Sequence, residues 1–361
     1  MAKNKGASLR NLQNPKDFES LALDHLKRAI QLNQTHTQSI ARLCSHYISD
    51  KRLIDAKELV EESLTLDPRN QDLVYLQATL LYENSEYEKA LQKIQSFLST
   101  THENLNFLNL ARKLYYKLND LTNLRYTVEK LIEIDPNNWA HFFCLADILQ
   151  EPEDYDRAIL LLEIAYDLSN GNKEVLLEIV RRTGLKSFYD EEGVLHRNPD
   201  LPKLEKYLLL IEKISLSDEH RYSIGETLIE CGLYNACQHQ LRKIKANTAS
   251  DFYLLKGLSD YHLGDLQEAK FNLSKVKSKN TKYCYALYYL AKAGEALSLP
   301  GHELYGEKAI VFLNKFASNL KKKLEKELIR GNFHKSKLCE TELCQINKYI
   351  TECMSMNPSS G

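Results

Sequence analysis

The chain has 361 residues, a formal net charge of −1 and a hydrophobic content of 43%. One globular core is not expected, because single domains usually span ~100–200 residues. No stretch approaches the ~18 consecutive apolar residues of a membrane helix. The polar start, residues 1–6, has no apolar run of the kind that marks a secretory signal. These features disfavour membrane insertion and secretion.

The eight cysteines are scattered along the chain, and none of them forms a Cys-x-x-Cys pair. Several fall at predicted core positions of helices, where a free cysteine behaves as a small hydrophobic residue. Free thiols are typical of reducing compartments, and we therefore expect the protein to be cytoplasmic.

The N-terminal region divides into a tail and one helix. Residues 1–14 are rich in lysine and asparagine, and we expect them to be disordered. Residues 17–32 have the apolar spacing of a helix. In this segment Ala22 and Leu26 lie one 34-residue period before Ala56 and Val60. Residues 15–36 are therefore predicted to form half of a repeat that caps the N-terminal end.

Residues 37–172 repeat an apolar pattern with a 34-residue period, and the pattern predicts four units of two amphipathic helices. The five columns of the pattern are Ile40, Val74, Leu108 and Phe142; Cys44, Ala78, Arg112 and Ala146; Tyr47, Leu81, Tyr115 and Leu149; Ala56, Ala90, Leu124 and Ala158; and Val60, Ile94, Val128 and Leu162. One helical hairpin cannot bury its apolar face alone, so neighbouring units must stack.

These columns resemble the tetratricopeptide repeat, or TPR, and the in-register match covers residues 37–172. Arg112 and Leu124 depart from the pattern, because small residues are expected at both positions. The resemblance implies an all-α fold: a right-handed α-solenoid of TPR-like helical hairpins with helical caps at both ends.

The pattern changes after Gly171. Residues 173–217 are predicted to form a repeat whose two helices are separated by an inserted loop, 183–202. Residues 218–319 are predicted to form three further hairpins. Two of these share a period of 32, with Gly225 and Gly257 in equivalent places and Gly232 and Gly264 at the turns. Residues 320–355 are predicted to be capping helices, and residues 356–361 a disordered tail.

No signature of an enzyme is found. The chain has no phosphate loop of the Walker type, no His-Glu-x-x-His and no Gly-x-Ser-x-Gly. Cys339 and Cys344, near His334, are a weak candidate for a metal site. We therefore predict a protein that is not an enzyme and that needs no cofactor and no metal.

In TPR-like stacks, the first helices of successive units line a concave groove. Tyrosine rings and amide groups at these positions suit the recognition of an extended peptide. The predicted groove residues are Tyr75, Thr79, Tyr82, Asn106, Asn109, Lys113, Tyr116, Phe143 and Asp147.

The two halves of the chain differ in charge. Residues 1–200 carry 24 Lys and Arg against 31 Asp and Glu, a net −7, and residues 201–361 carry 24 against 18, a net +6. Tyrosines lie among the basic residues of the second half, and Lys321, Lys322 and Lys323 mark its basic face. Such a face can serve an acidic protein, nucleic acid or solubility alone.

The favoured function is that of an adaptor or scaffold that binds a protein or peptide partner in its groove. The alternative is an RNA-binding TPR-like protein that uses the basic, tyrosine-rich C-terminal half.

Overall fold

The computed structural model describes residues 15–34, 36–98, 104–192, 194–245, 249–330 and 332–356. The predicted disordered segment 1–14 lies outside these residues, as do residues 357–361 of the predicted tail 356–361. Met356, the first residue of that tail, is buried. The chain divides into two compact units, a first unit of Met1–Asn137 and a second unit of Asn138–Gly361.

In the first unit, each helix packs against the next one along the chain, and alternate helices also touch: α2 packs against α4, and α4 packs against α6. The helices are α1 (Pro15–Leu32), α2 (Thr37–Ser49), α3 (Leu53–Leu66), α4 (Gln71–Glu83), α5 (Tyr87–Leu98), α6 (Leu105–Leu118) and α7 (Leu121–Ile134). The helices α2, α4 and α6 therefore lie side by side on one face of this unit.

The second unit continues the pattern of helical pairs, with α10, α12, α14 and α16 in successive contact. The helices are α8 (Trp139–Ile148), α9 (Tyr155–Leu168), α10 (Lys173–Gly184), α11 (Leu201–Ile211), α12 (Asp218–Glu230), α13 (Tyr234–Leu241), α14 (Ser250–His262), α15 (Leu266–Ser274), α16 (Tyr283–Ala296), α17 (His302–Ile329) and α18 (Phe333–Ser355).

The predicted columns form the core. The column of Ala56, Ala90, Leu124 and Ala158 is buried throughout, and so is the column of Val60, Ile94, Val128 and Leu162. Ala90 has no exposed surface, so its helix approaches its neighbours closely. The hairpin repeat inferred from these columns is confirmed.

Two further columns with the 34-residue period position the helix ends. Asn70, Asn104, Asn138 and Asn172 are the N-caps of α4, α6, α8 and α10, and each side chain accepts a hydrogen bond from a backbone N–H of the first turn. At the turns inside the hairpins, Lys51, Ser85 and Asn119 have φ of 60°, 63° and 57°. The sequence pattern contained both columns, but apolar periodicity does not reveal them.

The structure departs from the prediction inside the loop 183–202. Strands β1 (Ser187–Tyr189) and β2 (Leu195–Arg197) pair antiparallel in this insertion, with Phe188 opposite His196. The side chain of Asp190 stabilises the connection by accepting from the backbone N–H of Glu192 and Val194. The described residues of the insertion therefore contain a short β-hairpin.

The helix α17 crosses the predicted boundary between residues 319 and 320. Its buried residues Ala309, Leu313, Ala317 and Leu320 keep helical spacing across that boundary. No proline or glycine interrupts the helix between Gly306 and Ile329. The last predicted hairpin and the first predicted capping segment therefore share one helix.

Ala22 is exposed, although it lies one 34-residue period before the buried Ala56. Ala56 is buried because α3 packs against α2, the first helix of its hairpin. The helix α1 has no such partner before it in the described part of the chain. The burial of this position therefore depends on the neighbouring helix and not on the residue alone.

Candidate partner-binding faces

The predicted groove residues of the first unit lie on two adjacent first helices. Tyr75, Thr79 and Tyr82 lie on α4, and Asn106, Asn109, Lys113 and Tyr116 lie on α6. Tyr82 and Tyr116 are one 34-residue period apart, so they occupy equivalent positions on neighbouring helices.

The aromatic side chains on this face differ in exposure. The Tyr75 ring packs edge-on against Phe107, with ring centroids 5.5 Å apart, and the Tyr82 ring packs against Tyr87 at 5.5 Å. Both tyrosines are half-buried, whereas Tyr116 is 62% exposed. Two rings are thus held in place by neighbours, and a third projects into solvent.

Two of the predicted polar groups are already used within their own helices. The Thr79 hydroxyl donates to the Tyr75 carbonyl at 2.9 Å, and the Asn109 amide donates to the Leu105 carbonyl at 2.9 Å. Among the predicted groove residues on α4 and α6, Asn106 and Lys113 are the polar ones that are exposed. The sequence predicted these residues in the groove, but it did not reveal that the Thr79 and Asn109 side chains donate hydrogen bonds within their own helices.

Phe143 and Asp147 lie on α8, in the second unit. Phe143 is half-buried with its ring edge-on to Trp139, the centroids being 6.2 Å apart, and Asp147 is exposed. The predicted set of groove residues is therefore divided between the two units.

In the second unit, helix α18 packs against α16. The rings of Tyr288 and Tyr349 stack with centroids 4.1 Å apart, and the Tyr288 hydroxyl donates to Glu352 at 2.5 Å. The Tyr285 hydroxyl donates to Glu342 at 3.3 Å. Burial and the nearby carboxylate raise the pKa of the Tyr288 hydroxyl, which therefore stays protonated and donates. This helix therefore packs on the side of α16 that carries Tyr285 and Tyr288.

Lys321, Lys322 and Lys323 are all exposed on α17. Consecutive helical residues point about 100° apart, so the three lysines point in different directions. A basic face formed by these three lysines stays a prediction.

Two buried thiols of the core are not activated. Burial raises the pKa of Cys44 to about 12 and that of Cys237 to about 11. A thiolate is the nucleophilic form, so these groups are inert at neutral pH. Cys339 is buried and Cys344 is exposed, and the side chain of His334 lies outside the described residues. Among the described residues, no group of three metal-ligating side chains could hold an ion.

Antiparallel helical hairpins, buried columns at a 34-residue period and successive first helices in contact are the features that the resemblance implied. The chain has a TPR-like fold. None of the helices that the structure describes is long and apolar enough to span a membrane.

No family model matches the chain, and no curated protein matches it. Several solved structures are similar at low sequence identity. A TPR protein from Parabacteroides merdae has a TM-score of 0.47 and 13% identity, and the match covers 72% of this chain and 99% of that one. A chain of the APC/C hetero-tetramer Cut9–Hcn1 has a TM-score of 0.41 and 16% identity, and the match covers 94% of this chain and 60% of that one. Pseudomonas aeruginosa PilF has a TM-score of 0.39 and 13% identity, and the match covers 68% of this chain and 94% of that one.

Proposed function

We propose that the protein is a cytoplasmic, non-enzymatic adaptor that binds an extended peptide of a partner protein on the face formed by α2, α4 and α6. The observation that carries this proposal is the exposed ring of Tyr116, which lies one period from the anchored ring of Tyr82. A TPR-like fold supports a protein-interaction role, but the peptide and its binding mode are part of the proposal.

The chemistry of this face suits a peptide. Aromatic rings supply contact area at a small entropic cost, because a tyrosine has only two side-chain torsions. Asn106 can donate to and accept from a peptide backbone, and Lys113 can pair with a carboxylate. The rings of Tyr75 and Tyr82 are held by Phe107 and Tyr87, so less conformational freedom is lost on binding.

The test uses peptides selected from a random display library on the immobilised full-length protein, with affinities measured by calorimetry. We expect Tyr116→Ala to weaken the binding of the selected peptides by ~1–2 kcal/mol, as interface tyrosines often do. Its thermal stability should stay close to that of the wild type, because the ring is largely exposed.

Tyr126→Ala is the matched control, because Tyr126 is 60% exposed but lies on the second helix α7. We expect this variant to bind the peptides with unchanged affinity. Equal losses in the two variants, or no loss in the Tyr116 variant, would move the binding surface away from this face.

A further inference from the structure

The helix α17 carries a row of basic side chains along one side. At about 100° per residue, six of them point within about 60° of the direction of Asn319, namely Lys308, Lys315, Lys322, Lys323, Lys326 and Arg330. All six are exposed. The row from Lys308 to Arg330 corresponds to a length of ~33 Å at ~1.5 Å per residue.

Acidic side chains lie off this row. Glu303, Glu307 and Glu325 point about 120° or more away from Asn319 by the same helical count. Glu327 is buried and bound by Asn332 at 2.7 Å and Arg330 at 3.3 Å. Among the described residues, no carboxylate forms an ion pair with any of the lysines of the row. Within the described residues, the five lysines of the row therefore carry charge that no ion pair neutralises, whereas Arg330 is paired with Glu327.

A cleft of about 240 Å³ opens beside the middle of the row, where the turn between α15 and α16 meets α17. The residues that matter in its lining are Ser278, Thr281, Tyr283, Phe312, Lys315 and Asn319. The Tyr283 and Phe312 rings meet edge to face at 5.1 Å. The lining of the cleft therefore combines two aromatic rings with the ammonium group of Lys315, the amide of Asn319 and the hydroxyls of two turn residues.

We propose that this row and its cleft bind single-stranded RNA, with the lysines along the phosphates and one unstacked base in the cleft. Proteins that hold single strands combine a basic track with aromatic side chains. A base that is paired in a duplex cannot enter such a cleft, so a single strand is required. This site lies in the second unit and is independent of the proposed peptide face.

A peptide of acidic residues alone fits the geometry less well. Its carboxylates would satisfy the lysines, but its side chains have no ring to stack on Tyr283 and Phe312. Val311 and Ile329 are exposed on the same helix and point about 80° from Asn319. Anionic membranes bind helices whose apolar side chains lie beside the cations, so the vesicle measurement below tests this alternative.

The probe is a fluorescein-labelled 12-nucleotide single-stranded RNA of mixed sequence, a length within the ~4–16 nucleotides of single-stranded sites. Binding to the full-length protein is followed by anisotropy at several salt concentrations. The combined variant Lys315→Glu, Lys322→Glu and Lys326→Glu should bind at least tenfold more weakly. The slope of log affinity against log salt should fall by about 2, since each lost contact removes ~0.7.

The matched control changes the same charge elsewhere: Lys173→Glu, Lys213→Glu and Lys321→Glu, all at exposed positions. It should weaken binding by less than threefold. The sharpest pair is Lys322→Glu against Lys321→Glu, because these neighbours differ only in the side of the helix on which they lie. Equal effects within that pair would overturn the proposal.

The cleft is tested with Phe312→Leu and with Asn319→Ala, the latter at an exposed position so that folding is preserved. Each should weaken RNA binding at least threefold while leaving the salt slope unchanged, because neither removes a charge. A 12-residue polyglutamate peptide, or vesicles containing phosphatidylserine, binding as tightly as the RNA would show that the row serves an acidic protein or a membrane instead, and would also overturn the proposal.

Discussion

In the first unit, Tyr116 on the first-helix face is 62% exposed, whereas in the second unit Tyr288 on α16 is 5% exposed. The difference arises because α18 folds back and stacks Tyr349 on Tyr288. The two tyrosines therefore have different surroundings. Tyr116 is exposed to solvent, and Tyr288 is covered by another helix of the same chain.

The two units also differ at the point where the helices of a hairpin cross. The eighth residue of the first helix is Ala78 in α4 and Gly257 in α14, and both are buried. A Cβ on Gly257 would lie 2.6 Å from Cγ of Leu273. The hairpin of α14 and α15 therefore leaves no room for a Cβ at position 257, where glycine has none.

The largest expected effect concerns the crossing in the first unit. Ala90→Arg places a large charged side chain where no surface is exposed, and should reduce the free energy of unfolding by at least ~3 kcal/mol. Denaturant unfolding followed by circular dichroism measures the loss. Gln92→Arg, at an exposed position of the same helix, is the control and should change stability by less than ~0.5 kcal/mol.

An intermediate effect is expected at the crossing in the second unit. Gly257→Ala should cost ~1–3 kcal/mol, because the overlap with Leu273 includes its backbone nitrogen at 3.1 Å and exceeds the gain in helix propensity. At Gly225 the nearest atom is the terminal Leu255 Cδ1 at 3.1 Å, which can shift. Gly225→Ala should therefore be the milder change in the same unfolding assay. A larger loss of stability in Gly225→Ala than in Gly257→Ala would show that Gly257 does not lie as close to Leu273 as described.

The smallest effect concerns the turns inside the hairpins. The first unit has Ser85 at φ 63° and the second has Gly264 at φ 85°, with nothing within 4 Å of the place that a Cβ on Gly264 would occupy. A left-handed conformation costs most residues ~1–2 kcal/mol, and glycine adopts it freely. Ser85→Gly should therefore raise the free energy of unfolding by ~0.5–1 kcal/mol, and Gly264→Ser should lower it by ~1 kcal/mol. Differential scanning calorimetry measures both changes in stability. Two variants that were both more stable, or both less stable, than the wild type would contradict this prediction.

The sequence determined the hairpins and their spacing. The columns that contain Ala56 and Val60 repeat with the 34-residue period, and burial of such columns follows from helical periodicity alone. The sequence also contains the asparagines that cap α4 and α6, Asn70 and Asn104. Such a cap is a local feature, because the side chain accepts from a backbone N–H only a few residues further along the chain. Local patterns therefore predicted the fold class and the positions of the groove residues along the chain.

Only the tertiary structure decided how these residues are used. The exposure of Ala22 and the stacking of Tyr349 on Tyr288 depend on which helices lie nearby. The continuous α17 placed Lys315 and Lys322 on one side and Lys321 on another, although the sequence shows only a cluster of lysines. Periodicity specifies which face of a helix is apolar, but burial and charge at a given residue depend on contacts between segments distant in the chain.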